Sequence, residues 1–235
     1  ETYERVFLNG FRIPDAKKEI NDTLNRGTLL LNYSGHGGPD GLAQEEIFTK
    51  EDALALTNKD KLAIFVTATC SFGWWDLEET QSGAEALLLN PNGGAVALMT
   101  TVRLVYTSGS TTSLNAGLNR ALNIALFEKD SDGLPRRLGD VMRLTKNTNV
   151  GLQGNSRKFN LLGDPSMRVG LAPREAVVQT LNSTDLTSET GQMKALDLVS
   201  IQGEIQDAAG NKDNSFDGLV SVTVFDAERI VPTKN

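Results

Sequence analysis

The chain carries one histidine, His36, and one cysteine, Cys70. Imidazole is the commonest general acid–base group in enzymes and a thiolate is a strong nucleophile, so together they can transfer an acyl group. Any catalysis by imidazole here must use His36, and any catalysis by a thiolate must use Cys70. The same counts exclude an intrachain disulfide and a zinc site that takes two or more ligands of either type.

Both residues lie in distinctive local settings. Residues 33–38 read YSGHGG and residues 67–73 read TATCSFG, each after an apolar run. Glycines allow a tight turn beside His36 and leave backbone N–H groups bare, which suits stabilisation of an oxyanion. The plainer alternatives are a loop histidine without a role and a structural cysteine in the core. The two settings together are more informative than either alone.

Short apolar runs alternate with helical patterns over the first 170 residues. This alternation predicts an α/β fold with a mainly parallel sheet, in which functional groups gather beyond the carboxyl ends of the strands. His36 and Cys70 follow two such ends, on strands that we expect to be neighbours separated by one helical crossover. The predicted strands are 6–8, 29–33, 62–66, 95–99 and 159–162; the predicted helices are 14–26, 111–127 and 138–146, with two short ones opened by capping boxes at Thr49 and Ser82.

The length and net charge of the chain limit the number of domains and the kinds of partner that it can have. The 235 residues are enough for one large domain or two small ones. The net charge of −7 excludes a nucleic-acid binder, which would need a basic face. No apolar run approaches the roughly 18 residues that span a bilayer, and no signal peptide is visible.

The pattern changes after about residue 172. Residues 173–195 read as a connector or an opening strand, whereas 199–205 and 219–225 alternate apolar and polar side chains. This alternation is typical of the beginning of a β-sandwich. Because two or three strands cannot complete such a sandwich, and because the chain opens at Glu1, we expect a fragment truncated at both ends.

The sequences around His36 and Cys70 resemble the histidine and cysteine motifs of the gingipain-like cysteine peptidases, family C25. Further likeness comes from GGAVAL at 93–98, TVRLVY at 101–106 and LLGDP at 161–165. The resemblance covers roughly residues 5–172 and is greatest to the sortase-like PorU subgroup of the type IX secretion system. It implies a caspase-like three-layer sandwich over 1–172, and the tail at 173–235 resembles a connector and the start of the Ig-like domain that follows the peptidase.

The resemblance also implies the roles of the site residues. Cys70 would be the nucleophile, His36 the general acid/base, and the N–H groups of Gly37 and Cys70 the oxyanion hole. In the gingipains, an acid that orients the histidine and part of the substrate pocket come from an upstream subdomain, which we expect to be missing from this chain. No cofactor is required.

Several residues near Cys70 have two readings each. Trp74 and Trp75 either pack against neighbouring structure or form a wall of the substrate cleft. Arg103, near the same rim, either pairs with an acid or touches the substrate. The acidic residues nearby are either solvated surface or a structural calcium site; they are Asp76, Glu78 and Glu79.

The leading hypothesis is a cysteine endopeptidase or sortase-like acyl transferase that cleaves C-terminal sorting domains from secreted proteins. The resemblance places such an enzyme at the bacterial outer membrane, either on the cell surface or facing the periplasm, with secretion-complex proteins as partners. The alternative is a catalytically inactive scaffold or binding module of such a complex, in which the tryptophans and the β tail mediate assembly.

Overall fold

The computed structural model describes residues 13–107, 112, 114–148, 150, 154–172, 174–186, 188, 191–194, 196–207 and 209–224. The strand predicted at 6–8 lies outside these residues. The chain divides into two compact units, with the break after Val169.

The first unit alternates strands and helices, as the sequence predicts. In chain order it contains α1 (Ile13–Arg26), β1 (Leu30–Ser34), β2 (Gly37–Gly38), β3 (Gly41–Leu42), β4 (Phe48–Thr49), α2 (Lys50–Ala55), β5 (Ala63–Ala68), α3 (Gly83–Leu89), β6 (Ala95–Thr101), α4 (Leu114–Phe127), α5 (Leu138–Lys146), a short 3-10 helix (Ser156–Lys158) and β7 (Phe159–Leu162).

A four-stranded sheet forms the centre of this unit, in the order β1-β5-β6-β7. β1, β5 and β6 run parallel, and β7 runs antiparallel to β6. Every residue of β5 is buried, as expected for a central strand that is covered on both faces. The mainly parallel sheet predicted from the sequence is therefore confirmed, with one antiparallel strand at its edge.

Helices cover both faces of the sheet. One apolar cluster joins Leu24 of α1, Ala53 of α2 and Leu87 of α3 to Phe65 of β5. α4 contributes nothing to that cluster, although it packs against β5 and β1 and against α5. Because successive side chains of a strand point to opposite faces, α4 and α5 lie on the other side. The arrangement has three layers.

Both predicted capping boxes are present. The Thr49 hydroxyl accepts from the Asp52 N–H while the Asp52 carboxylate accepts from the Thr49 N–H, and Ser82 and Glu85 do the same at α3. Each box satisfies two N–H groups that the first helical turn leaves open. Within the described residues, no helix combines the length and the apolar character needed to cross a membrane.

The second unit contains a three-stranded antiparallel sheet, ordered β10-β8-β9. Its strands are β8 (Arg174–Leu181), β9 (Thr184–Asp185) and β10 (Ile201–Asp207). The strand predicted at 219–225 is wrong for residues 219–224, which form no strand, and Phe225 lies outside the described residues. Leu219 is fully exposed. An alternating pattern makes a strand only where another strand pairs with it.

Candidate active site

The sheet brings His36 and Cys70 to one edge. β1 and β5 are parallel neighbours whose register pairs Ser34 with Ala68. His36 lies two residues after Ser34, and Cys70 lies two residues after Ala68. Both residues therefore leave the sheet at the same end, at matching positions beyond the last pair. The Gly35 N–H also donates to the Ala68 carbonyl at 3.3 Å, which ties the two segments together just before both residues.

The histidine turn (residues 34–38) is fixed through its backbone. The His36 carbonyl accepts from the Tyr33 hydroxyl at 2.6 Å and from the Ala43 N–H at 2.8 Å. The His36 side chain is exposed. Its imidazole has no hydrogen bond or ion pair with any residue in the ranges that the structure describes. The turn thus sets the position of His36 without orienting its ring.

The cysteine loop (residues 69–73) is packed much more tightly. Thr69, Ser71, Phe72 and Gly73 are all buried, whereas Cys70 is half-buried. The Cys70 thiol lies 3.7 Å from the Val105 carbonyl, within range of a weak S–H donor. The residues that flank Cys70 are therefore buried, whereas Cys70 itself is partly exposed.

Ser71 takes an uncommon backbone conformation, with φ of 56°. This left-handed region costs a non-glycine residue about 1 kcal/mol or more, and it occurs most often where surrounding structure holds the chain at a functional turn. Here the strained residue directly follows Cys70. The chain turns sharply at this point and returns towards the sheet.

Neither the Gly37 N–H nor the Cys70 N–H has a hydrogen-bond acceptor among the described residues. Because the Ala43 N–H bonds to the His36 carbonyl, the pairing of Gly37 with Leu42 is of the non-hydrogen-bonded kind, so the Gly37 N–H points away from β3. The Cys70 N–H has no acceptor among the residues that the structure describes. Two bare donors in neighbouring loops could hold an oxyanion.

Direct packing joins the two loops at these donors. A Cβ on Gly37 would lie 2.6 Å from the Thr69 hydroxyl oxygen. Only a glycine lets the histidine turn approach the cysteine loop this closely. The Thr69 hydroxyl is itself buried and has no hydrogen-bond partner in the described part of the chain.

α4, on the face of the sheet opposite to α1, α2 and α3, contacts the end of β5. The Asn115 side-chain amide donates to the Ala68 carbonyl at 2.6 Å, and Asn115 is only 6% exposed. The Ala68 carbonyl thus holds donors from α4 and from Gly35 at once. Sequence analysis did not single out Asn115, because its role depends on where α4 docks.

Two of the three residues predicted for a substrate cleft, Trp74 and Arg103, lie together with Asp76. The Arg103 guanidinium makes two hydrogen bonds to the Asp76 carboxylate, at 2.8 and 2.6 Å, and lies 5.0 Å from the centre of the Trp74 ring. The hydrogen bonds from Arg103 lower the pKa of Asp76 below its ordinary value. Trp75 is 54% exposed. Arg103 therefore pairs with an acid, and Trp75 offers the open apolar surface.

A cleft of about 520 Å³ lies beside the histidine turn. Its lining includes Gly37 together with the carboxylates of Asp40, Glu46 and Glu51. This side of the site is therefore anionic. No three His, Cys, Asp or Glu side chains within the described ranges lie close enough together to hold a metal ion, and calcium binding near Glu78 and Glu79 stays a prediction.

Comparison with known families identifies this architecture. The model of peptidase family C25 matches residues 1–170, which include both loops. The chain belongs to peptidase family C25. The resemblance inferred from the His36 and Cys70 motifs is thereby confirmed at the level of the family. No curated protein matches the chain.

Solved structures show the fold of this C25 chain. The Arg-specific cysteine proteinase gingipain R (RgpB) is 24% identical with a TM-score of 0.55, over 69% of this chain and 39% of that one. The complex of Porphyromonas gingivalis RgpB pro- and mature domains gives the same identity and score, over 40% of its chain. The chain thus spans about two fifths of these structures. The expected caspase-like α/β fold is confirmed.

Dimeric latent PorU from Porphyromonas gingivalis is 30% identical over 40% of this C25 chain and 9% of its own. The TM-score of that match is 0.24, which is too low to compare the two structures at the site.

Proposed function

We propose that the chain is the catalytic part of a cysteine endopeptidase of the sortase-like type, with Cys70 as the nucleophile and His36 as the general acid/base. The main support is the register of β1 and β5, in which Ser34 pairs with Ala68. This register places His36 and Cys70 at the same edge of the sheet. The contact between Gly37 and Thr69 supports the proposal, because it holds the residue after His36 against the residue before Cys70.

The chemistry would be acyl transfer. The Cys70 thiol passes its proton to His36, and the sulfur forms a bond to the carbonyl carbon of a peptide bond. The carbonyl π electrons move to oxygen, where the N–H groups of Gly37 and Cys70 stabilise the charge. The carbon–nitrogen bond then breaks, His36 returns the proton to the leaving amine, and a thioester remains on Cys70. Water or an amine resolves that thioester.

The proposed substrates are secreted proteins that carry a C-terminal sorting domain, and the proposed location is the bacterial outer membrane with secretion-complex proteins as partners. The likeness of the His36 and Cys70 motifs to the sortase-like subgroup supports this. Beside the thiol, the exposed ring of Trp75 and the pair of Arg103 with Asp76 offer an apolar and a polar wall for an extended peptide.

The decisive experiment measures hydrolysis of fluorescein-labelled casein and alkylation of Cys70 by iodoacetamide. We expect Cys70→Ala to abolish hydrolysis, and His36→Ala to lower both hydrolysis and the alkylation rate by about 100-fold or more. Lys129→Ala, on an exposed loop, is the matched control and should change neither. Unchanged hydrolysis in Cys70→Ala would refute the proposal and favour the scaffold alternative.

A second assay separates the two ways of resolving the thioester. Glycinamide is added to the casein digestion, and the masses of the product peptides are measured by mass spectrometry. A sortase-like enzyme should yield peptides extended by glycinamide at the new C-terminus, in amounts that depend on Cys70. Hydrolysed peptides alone would restrict the function to an endopeptidase.

A further inference from the structure

One buried hydroxyl holds the peptide group from which Cys70 begins. Thr101, at the end of β6, is fully buried, and its hydroxyl donates to the carbonyl of Thr69. That carbonyl and the N–H of Cys70 belong to the same peptide group. The described chain has no cis peptide bond, and in a trans peptide the two groups point in opposite directions.

The direction of the Cys70 N–H therefore depends on what holds the Thr69 carbonyl. The N–H has no acceptor of its own among the described residues, so no bond at that end fixes the peptide. The Thr101 hydroxyl fixes the other end. A hydrogen bond at the carbonyl also polarises the amide and strengthens its N–H as a donor.

Thr101 secures the far end of the cysteine loop as well. Its backbone carbonyl accepts from the Gly73 N–H at 2.9 Å. One residue thus clamps the loop on both sides of Cys70, through its side chain at Thr69 and through its backbone at Gly73. Loss of the hydroxyl would leave the second contact in place, so the loop would stay folded while the Thr69–Cys70 peptide lost its anchor.

We propose that Thr101 is a positioning residue that aims the Cys70 N–H at the carbonyl oxygen of the substrate. It touches neither the substrate nor the reacting atoms, and it acts through the peptide group that it holds. This inference rests on the proposed acyl transfer through Cys70. It assigns the orientation of one oxyanion-hole donor, the Cys70 N–H, to a side chain on the neighbouring strand.

The test compares the native protein with Thr101→Val and Thr101→Ser. Valine keeps the shape of threonine but removes the hydroxyl, whereas serine keeps the hydroxyl. Thr145→Val is the matched control, since Thr145 is also buried and its hydroxyl also donates to a backbone carbonyl, that of Val141 at 2.8 Å in α5. Circular dichroism at the assay temperature verifies that each variant is folded, and Thr101→Ala replaces Thr101→Val if the latter is not.

Two readings distinguish positioning from general damage. Loss of an oxyanion-hole donor lowers kcat by about 100- to 1,000-fold, so misdirecting one should lower kcat for labelled casein by about 10- to 100-fold with KM nearly unchanged. Alkylation by iodoacetamide displaces iodide without forming an oxyanion. Its rate should therefore stay within about twofold in Thr101→Val, and Thr101→Ser should restore most of kcat.

The outcomes are separable. A kcat in Thr101→Val that matches Thr145→Val overturns the inference, and so does an alkylation rate that falls in parallel with kcat. A peptide aldehyde, whose adduct with Cys70 carries an oxyanion, should bind Thr101→Val at least 10-fold more weakly, and unchanged binding would also contradict the inference. Hydrolysis that survives Cys70→Ala would instead refute the proposed function.

Discussion

The cysteine loop and the histidine turn leave the same edge of the sheet but are held in different ways. The residues that flank Cys70 are buried, and the loop is anchored from β6 at the Thr69 carbonyl and the Gly73 N–H. The histidine turn is held by two bonds to the His36 carbonyl and by the Gly35 N–H, which donates to the Ala68 carbonyl, and the His36 side chain is exposed. The loop of the nucleophile candidate is thus buried and held on both sides of Cys70, whereas the imidazole of the base candidate has no hydrogen bond within the described residues.

The largest expected effect concerns the space around one glycine in each loop. A Cβ on Gly73 would lie 2.2 Å from a methyl carbon of Thr100, which is itself fully buried, whereas a Cβ on Gly38 would meet nothing within 4 Å. We expect Gly73→Ala to lower the free energy of unfolding by roughly 1–3 kcal/mol. Gly38→Ala should change it by no more than about 0.5 kcal/mol.

Urea unfolding followed by tryptophan fluorescence measures both variants. Gly154→Ala, at an exposed glycine that also has no near neighbours, is the control for the intrinsic effect of the substitution. Equal losses in Gly73→Ala and Gly38→Ala would contradict the difference in free space at these two positions.

A smaller effect is expected where the histidine turn is tied down. Tyr33→Phe removes the hydrogen bond from the Tyr33 hydroxyl to the His36 carbonyl, which keeps its second bond from Ala43. Burial raises the pKa of Tyr33, so the phenol stays a donor at neutral pH. We expect a loss of about 1 kcal/mol in the free energy of unfolding, the usual net value of one neutral hydrogen bond.

Thermal or urea unfolding at neutral pH measures the effect of Tyr33→Phe. Tyr106→Phe serves as the control, because Tyr106 is 68% exposed. A loss in Tyr33→Phe no greater than in Tyr106→Phe would show that the histidine turn holds its shape without this bond.

The smallest expected effect concerns the charged pair beside the cysteine loop. Hydrogen bonds from Arg103 lower the pKa of Asp76 below its ordinary value of 3.8. The pair therefore stabilises the fold above about pH 4, and that contribution is lost as the pH falls through the folded-state pKa. We expect Arg103→Gln to raise the pKa of Asp76 towards 3.8.

An NMR titration of the Asp76 carboxyl carbon measures this shift. Arg143→Gln is the matched control, because Arg143 pairs with Asp140 on α5. An Asp76 pKa that is the same in Arg103→Gln and in the native protein would mean that the pair does not persist in solution.

The sequence predicted the fold and the placement of the two reactive residues because both depend on patterns along the chain. Apolar runs gave the strands, and the carboxyl ends of parallel strands meet at one edge. The reversed direction of β7 escaped prediction, since an apolar run has no direction of its own. The strand expected at 219–225 failed for a related reason, because alternation supplies a face but not a pairing strand.

Contacts between distant segments were beyond reach of the sequence. Arg103 meets Asp76 across 27 residues, and Thr101 meets the Thr69 carbonyl across 32. Buried threonines at the ends of strands are ordinary β-formers, so nothing in the sequence distinguishes Thr101 from Thr100. Their difference arises only when β5 and β6 are placed side by side.

The left-handed backbone at Ser71 also has a consequence for protein engineering. A saturation library at this position, sorted for thermal stability alone, should enrich glycine and asparagine and deplete valine, isoleucine and proline, because only the first two adopt this conformation at low cost. Sorting the same library for hydrolysis would show whether evolution kept serine there despite a more stable choice. The serine at position 71 would then reflect a compromise between stability and catalytic activity.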